Sequence, residues 1–386
     1  MTRTFKTELI NVDAEQRSYF DRAIGIRRWT FNWGLAEYLR GVKEDGEYQS
    51  NYTLQKKLNN TLVKDPEYSW LTEINSMVRQ ESLKDLTLST IEWSRKVSRA
   101  KSTMTPIDFS KGMPKFKKRG KGNESFRYSS KADPLKIKSN HKMTLTRVRP
   151  LKPLVLQTKE SVEFLKNVSI KETTISRNAG KYYISIVYEK PRKPRPKGHG
   201  KVGIDMGIKT VAVAYDGTNT TEFNLTDNLR KAERRTEKLH KALARTKKDS
   251  NNHRKIQIRL QKAYERENNI KKDFREKFTT HIVSNYDEVN LESFAFTSAK
   301  NLNVNRALHR VGVYATTERL KQKAAERGVV LKEVPKGTPT TQTCSSCNYV
   351  QVKKVELKHR TFDCESCSNV LDRDENAARN IYNLNL

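Results

Sequence analysis

All four cysteines of the chain fall between residues 344 and 367, as Cys344-Ser-Ser-Cys347 and Cys364-Glu-Ser-Cys367. Two CxxC pairs at this spacing can wrap four thiolates around one tetrahedral ion, a structural zinc site with no open coordination position. Paired disulfides are the competing reading, and a basic chain expected in the cytoplasm argues against them. A second chemistry is offered by carboxylates. Asp205 sits in the apolar stretch Lys201-Val-Gly-Ile-Asp-Met-Gly207, where a charge costs several kcal/mol unless partners or a metal hold it. Glu292 ends the apolar run Val289-Asn-Leu-Glu292, and Asp374 opens the last helical segment. Hard carboxylate oxygens suit Mg2+ or Mn2+, and three converging acids can hold two such ions about 4 Å apart. Such a pair activates water and stabilises a leaving 3′ oxygen during attack on a phosphodiester, with no need of histidine. The chain has no convincing histidine triad and no GxxxxGK phosphate loop, so ATP-driven chemistry has no support.

The elements that must gather these acids follow from the residue pattern. Residues 201–217 read as two antiparallel strands bent at Gly207, with a hairpin signal at Asp216-Gly217, and Thr220–Asn224 reads as a third strand. Asp227–Lys247 and His253–Val283 are helical by composition and are separated by Asp249-Ser-Asn-Asn. The strand ending at Glu292, a helix around Leu308–Arg327, the strand Val329–Val334 and a closing helix Asp374–Leu384 complete the series. The order β-β-β, long helices, β, helix, β, helix is that of an RNase H-like α/β fold. In that fold, acids on the first strand, the fourth strand and a late helix meet at one end of the sheet, and Asp205, Glu292 and Asp374 occupy those three places.

The first half is organised differently. Thr4–Val12 alternates like a strand, and a helix start follows at Asp13. To about Arg99 apolar residues recur at helical spacing (Phe20, Ile24, Trp29, Trp33, Leu35; later Ile74, Met77, Leu83, Leu86), so Trp29, Phe31 and Trp33 are expected in a helical core. Lys142–Val148, Val168–Ser176 and Lys181–Tyr188 read as strands of a β-barrel or sandwich. Phe116, Phe126, Tyr128, Tyr182 and Tyr183 are interleaved with its cations and are expected on a surface that stacks nucleic-acid bases. Lys190–Gly200 is a linker.

Charge names the class of partner. The 386 residues carry 76 Lys+Arg against 44 Asp+Glu, a formal charge of +32, which calls for a polyanion. Residues 101–200 hold 25 Lys+Arg against 7 Asp+Glu, and the run Lys115-Phe-Lys-Lys-Arg119 is the densest. Residues 230–277 hold 18 against 7, an α-hairpin basic enough to lie along a duplex. No run approaches the ~18 apolar residues of a membrane span, and Met1-Thr-Arg-Thr-Phe-Lys lacks a signal-peptide core. The expected setting is cytoplasmic, with no membrane partner. Lys209 and Arg373, close in sequence to Asp205 and Asp374, are expected to neutralise phosphate.

Val-Gly-Ile-Asp205-Met-Gly-Ile-Lys, Val-Asn-Leu-Glu292-Ser-Phe, the paired CxxC knuckles and Asp372-Arg-Asp374-Glu-Asn-Ala-Ala-Arg-Asn-Ile together resemble the TnpB family, the transposon-encoded RNA-guided DNA endonucleases ancestral to type V CRISPR effectors. Arg27-Arg-Trp-Thr-Phe-Asn-Trp-Gly-Leu and Ser125-Phe-Arg-Tyr extend the resemblance into the first half. It implies a β-barrel wedge domain (1–12 and 101–190) with a helical recognition domain inserted (13–100). A linker (191–200), a RuvC-like nuclease domain (201–339 and 371–386) and a zinc ribbon (340–370) follow. It also implies a prokaryotic monomer bound to one guide RNA from the transposon end, cutting double-stranded DNA beside a short transposon-adjacent motif. The family's catalytic, Mg2+-binding acids carry over onto Asp205, Glu292 and Asp374, with Asp372 supporting. Ser76, Gln80 and Lys84 would read the adjacent motif, while Lys115, Lys117, Lys118, Arg119 and Arg373 would touch nucleic acid. A nuclease-silent RNA-guided repressor is the alternative of another class, but relatives of that kind lose catalytic acids. A compact type V effector is a second alternative. The chain departs from the family's pattern at Gly337-Thr-Pro-Thr-Thr, at Asn348 and Ser368 where a glycine usually follows each knuckle, and at Glu276 where histidine is common.

Overall fold

Strict alternation of inward and outward residues builds the first sheet of this computed structural model. The model describes residues 2–384 except 45–48, 105–111, 121, 123, 130–134, 146–150, 192–197, 293–301 and 353–358, and only the backbone of 302–306. The chain divides into two compact units, Met1–Pro191 and Arg192–Leu386. Most of the expected linker, 192–197, lies outside the described residues.

In the first unit, β1 (Thr2–Ile10) is followed by α1 (Ala14–Glu44), α2 (Asn51–Asn60) and α3 (Ser76–Ser102). Strands β2 (Glu124–Ser129), β3 (Leu135–Ser139), β4 (Lys142–Leu145), β5 (Leu154–Gln157), β6 (Ser169–Asn178) and β7 (Lys181–Glu189) complete it. They form one sheet in the order β2-β6-β7-β1-β5-β4-β3. Among the described residues the end strands β2 and β3 are not paired with each other, and α1 covers the inner face of the sheet. Phe126 and Tyr128 of β2 and Tyr182, Ile184 and Ile186 of β7 point inward with period two and are buried. There Phe20 of α1 packs 6.0 Å from Phe126 and 5.2 Å from Tyr182, and Tyr19 hydrogen-bonds Tyr128 at 2.9 Å. Three of the five aromatics expected to stack bases are therefore core, because their strand positions place them under α1; Phe116 is exposed and Tyr183 half-buried. Phe31 is core, with Trp29 and Trp33 packed against it.

Two motifs distant in sequence meet in this unit. Arg27 of α1 donates to the Ser125 carbonyl (3.1 Å) and hydroxyl (3.2 Å) and pairs with Asp85 of α3 at 2.6 Å. Arg127 of β2 bridges Glu81, Asp85 and Glu172.

The second unit contains β8 (Lys201–Met206), β9 (Ala212–Tyr215), β10 (Thr220–Phe223), α4 (Asp227–Ala244), α5 (Asn251–Asn285) and β11 (Glu288–Glu292). It continues with α6 (Leu302–Val311), α7 (Val313–Arg327), β12 (Val330–Val334), β13 (Thr361–Asp363), β14 (Val370–Asp372) and α8 (Arg373–Asn383). Its main sheet runs β10-β9-β8-β11-β12, with β8–β9 and β9–β10 antiparallel and β11 parallel to both β8 and β12. That is the RNase H-like order. The helix expected around Leu308–Arg327 is broken into α6 and α7, because Gly312 takes a left-handed conformation (φ +81°) that a glycine adopts at no steric cost.

The two faces of this sheet differ in chemistry. Val202, Ile204 and Met206 of β8 and Val289 and Leu291 of β11 pack into one apolar core with Phe278 and Ile282 of α5 and Leu320 and Ala324 of α7. Each of these buried side chains larger than alanine is worth about 1.5–3 kcal/mol. The alternate residues, Lys201, Gly203 and Asp205 beside Glu288, Asn290 and Glu292, face the other way, and α8 covers them.

Candidate metal centres

The register of β8 and β11 places the first two acids together. Gly203 pairs with Asn290 and Ile204 with Leu291, so the next positions of these parallel strands are Asp205 and Glu292. Their carboxyls are hydrogen-bonded to each other. Asp374 enters from α8, which closes tightly on the same face. A Cβ built on Gly203 would lie 2.5 Å from the Ala378 carbonyl oxygen and 2.3 Å from the Tyr382 nitrogen. Asn290, fully buried, donates to the carbonyls of Ile381 (2.9 Å) and Leu384 (3.1 Å), and Lys201 donates to Leu384 at 3.0 Å. The far end of α8 is thus tied to both strands.

At the near end, Asp372 caps the helix, its Oδ1 accepting from the amides of Asp374 (2.8 Å) and Glu375 (3.2 Å). Asp374 lies in the first turn, where the helix dipole favours negative charge. It is buried, and both its oxygens meet guanidinium groups: Oδ2 accepts from Arg360 at 3.0 Å and Oδ1 from Arg373 at 2.9 Å. Arg373, expected at a phosphate, is instead buried against Asp374 and the His359 carbonyl, because the helix start turns it back toward its own neighbour. Lys209 is exposed on the loop after β8.

Burial pushes the carboxyl of Asp205 well above its usual range, and the charges of Glu292 and Asp374 add to the rise while Arg373 opposes it. Glu292 is also raised, by burial first and by Asp374, against the lowering effect of its hydrogen bond to Asp205. Such a group of buried oxygens is short of positive charge. Carboxylate oxygens are the kind of donor that hard divalent cations take, although the ligand atoms of Asp205, Glu292 and Asp374 do not all lie within 4.8 Å of one another.

Sulfur supplies the other centre. Ligand atoms of Cys344, Cys347, Cys364 and Cys367 all lie within 4.8 Å of one another, the one such group among the described residues. Sγ–Sγ distances are 3.7 Å for Cys344–Cys367 and 3.6 Å for Cys347–Cys364. Zn–S bonds of about 2.3 Å at tetrahedral angles put sulfurs about 3.8 Å apart, so the quartet fits Zn2+. Burial would raise the Cys344 thiol, yet the amides of Cys347 and Ser346 outweigh it and hold the thiol at about 6, on the thiolate side of neutrality. The positions that follow the knuckles, Asn348 (φ +61°) and Ser368 (φ +55°), are left-handed, and their amides close the turns onto the Cys344 and Cys364 carbonyls. The knuckle thus keeps its geometry without glycine.

The two centres share α8. Asn376 donates to the Thr343 carbonyl (2.7 Å) and accepts from the Ser345 amide (2.9 Å), while Asn380 donates to Thr340 at 2.7 Å. The second knuckle joins β13 to β14, whose last residue is the cap Asp372. Arg360, Asn290, Asn376 and Asn380 were not singled out from the sequence. Only the Asp-Glu-Asn-Ala-Ala-Arg-Asn spacing, which sets two asparagines one helical turn apart, carried a signal for the last pair.

Ser76, Gln80 and Lys84 form an exposed stripe along α3. Lys115, Lys118 and Arg119 are exposed, but Lys117 turns inward, its ammonium 3.6 Å from the Phe31 ring centroid and its backbone bonded to Asn32. Glu276 of α5 pairs with Arg319 (2.8 Å) and the buried Lys323 (2.8 Å) of α7, so this departure from the family's pattern is a helix-packing ion pair.

Family models match three stretches of the chain. One described as a helix-turn-helix domain covers residues 1–47, whose described part contains β1 and α1; one described as "Probable transposase" (OrfB_IS605) covers 185–302; and one described as a Cas12f1-like TNB domain covers 314–381. "Putative RNA-guided DNA endonuclease InsQ" of Escherichia coli (strain K12) is 27% identical over 98% of this chain and 91% of its own length. "Putative RNA-guided DNA endonuclease" of Streptomyces pristinaespiralis is 25% identical over 98% of this chain and 88% of its own. Among solved structures, a chain of a Cas12f1–sgRNA–target DNA complex superposes with a TM-score of 0.59 at 13% identity over 99% of both chains, a likeness of fold.

Proposed function

This chain belongs to the TnpB family, and we propose that it is an RNA-guided endonuclease that cuts double-stranded DNA beside a short transposon-adjacent motif, with a guide RNA from the transposon end. The observation that carries this reading is the meeting of Asp205 and Glu292 on neighbouring strand ends, with Asp374 close enough to raise both their carboxyls. Asp205, Glu292 and Asp374 would hold two Mg2+ or Mn2+ ions, which when bound supply water activation and stabilisation of the departing 3′ oxygen. The chain's own part is placement. β8 and β11 fix two carboxylates through strand register, and α8, pinned at both ends, brings the third to them. Arg360 and Arg373 hold the Asp374 carboxylate in one orientation.

Sequence would be read by pairing between guide and target, while cations hold the backbones. Exposed Arg and Lys residues of α4 and α5 suit the heteroduplex, and the stripe Ser76, Gln80 and Lys84 suits the adjacent motif. Sequencing the RNA that purifies with the protein, followed by Mg2+-dependent cleavage of a matching duplex, tests the reading. Cleavage must vanish in Asp205→Ala. Full cutting by that variant, or a preparation with no bound RNA and no guided cutting, would refute it.

A further inference from the structure

Two adjoining recesses on the first unit share Ile24 and Arg28. One is lined further by Arg27, Lys117, Lys118 and Ser125, the other by Arg22, Arg119 and Arg177. Seven cations and two acids, Asp21 and Glu124, line the two recesses, and the structure accounts for four of the cations. Arg22 pairs with Glu73 at 2.7 Å, Arg27 with Asp85 at 2.6 Å, and Arg177 with both Glu124 (2.7 Å) and Asp21 (2.8 Å). Lys117 rests on Phe31. Arg28, Lys118 and Arg119 have no acid within ion-pair distance among the described residues. Three uncompensated cations in one concavity repel one another, and an anion seated between them relieves that repulsion.

We propose that this recess is a phosphate seat, which takes a backbone phosphate of a nucleic-acid strand between the guanidinium forks of Arg28 and Arg119, with Lys118 at its rim. A guanidinium presents parallel N–H donors that match two phosphate oxygens. Phe116, three residues before Arg119 and 52% exposed, offers an aromatic face for a base next to the seated phosphate. Burial pushes the Lys117 ammonium down to about 8, and Arg27 adds to the fall against the opposing charge of Asp85. The seat divides the basic run, with Lys117 a packing residue and Lys118 and Arg119 ligands, and it adds Arg28 of α1.

The seat rests on the nucleic-acid reading of the chain, and binding separates the two. Labelled single-stranded RNA, single-stranded DNA and duplex DNA are titrated by fluorescence anisotropy from about 50 to 300 mM salt. The proteins are the full chain cleared of bound RNA, Arg28→Gln/Arg119→Gln, and the charge-matched control Lys56→Gln/Lys64→Gln, which changes two exposed lysines outside the recess. The seat predicts about tenfold weaker binding of one of the three nucleic acids and a salt slope lower by about 1 for the arginine pair, with at most a twofold change in the control. The arm that responds identifies the strand. Lys118→Gln, a single exposed change, repeats the test if the double variant fails to fold. Equal losses in the arginine pair and the control would overturn the seat. A wild-type chain that binds none of the three would overturn the seat and the functional reading together.

Discussion

Replacing Gly203 with alanine tests how the third acid reaches the other two. The new Cβ would stand 2.3 Å from the Tyr382 nitrogen and 2.5 Å from the Ala378 oxygen, both backbone atoms, where ordinary contact begins at 3.4 Å. Neither neighbour can rotate away, so α8 and β8 must part by about 1 Å. Overpacking of this kind costs about 1–3 kcal/mol. The same displacement also strains the bonds that Asn290 and Lys201 make to the end of the helix and carries Asp374 away from Asp205. A shift of about 1 Å in a catalytic group can lower a rate about a hundredfold. Gly203→Ala should therefore unfold at lower urea concentration and cleave guided DNA about a hundred times more slowly, yet still bind RNA. Urea unfolding and single-turnover cleavage give the two numbers. Wild-type cleavage by a folded Gly203→Ala chain would refute the claim that backbone contact between α8 and β8 sets the site.

Other changes probe the neighbouring elements. Ser368→Gly relieves a left-handed serine (φ +55°) and should raise ribbon stability by about 0.5–1 kcal/mol, seen as slower zinc loss to a chelator, whereas Ser368→Ala should bring no gain. Cys347→Ser should remove one equivalent of zinc by atomic emission and lower cleavage by loosening the knuckle bolted to α8, with RNA still bound. Burial would raise the Glu276 carboxyl, but hydrogen bonds from Arg319 and Lys323 outweigh it and hold it at about 2. A lowered carboxyl stabilises the fold fully above its unfolded value of about 4.3 and loses that contribution as pH falls toward 2. Glu276→Gln should thus cost up to about 1 kcal/mol at pH 7, allowing for solvent screening, and only a small part of that near pH 2, measured by thermal melts across that range.

Much of the second unit is legible in the sequence because its anomalies are local. A carboxylate between Ile204 and Met206 breaks an apolar pattern, and four cysteines in two pairs admit few arrangements. The order of strands and helices follows from residue periodicity, and with it the face on which Asp205 and Glu292 lie. What stayed hidden depends on contacts far apart in the chain. Charge counting cannot distinguish Lys118, which faces solvent, from Lys117, which lies on Phe31, or show that Arg373 is spent on Asp374. The aromatics of β2 and β7 pointed to base stacking until α1 was seen to cover them. Nothing near Arg360 announces that it meets Asp374, since that contact exists only once β13 and β14 have paired.

The most direct test is to locate divalent ions in crystals of the protein bound to its RNA and a target DNA carrying a non-cleavable phosphorothioate, soaked with Mn2+. The account predicts anomalous peaks in contact with the carboxylates of Asp205, Glu292 and Asp374 beside the scissile phosphate, all absent in Asp205→Ala. Manganese bound elsewhere, or no peak at these carboxylates under saturating Mn2+, would contradict it.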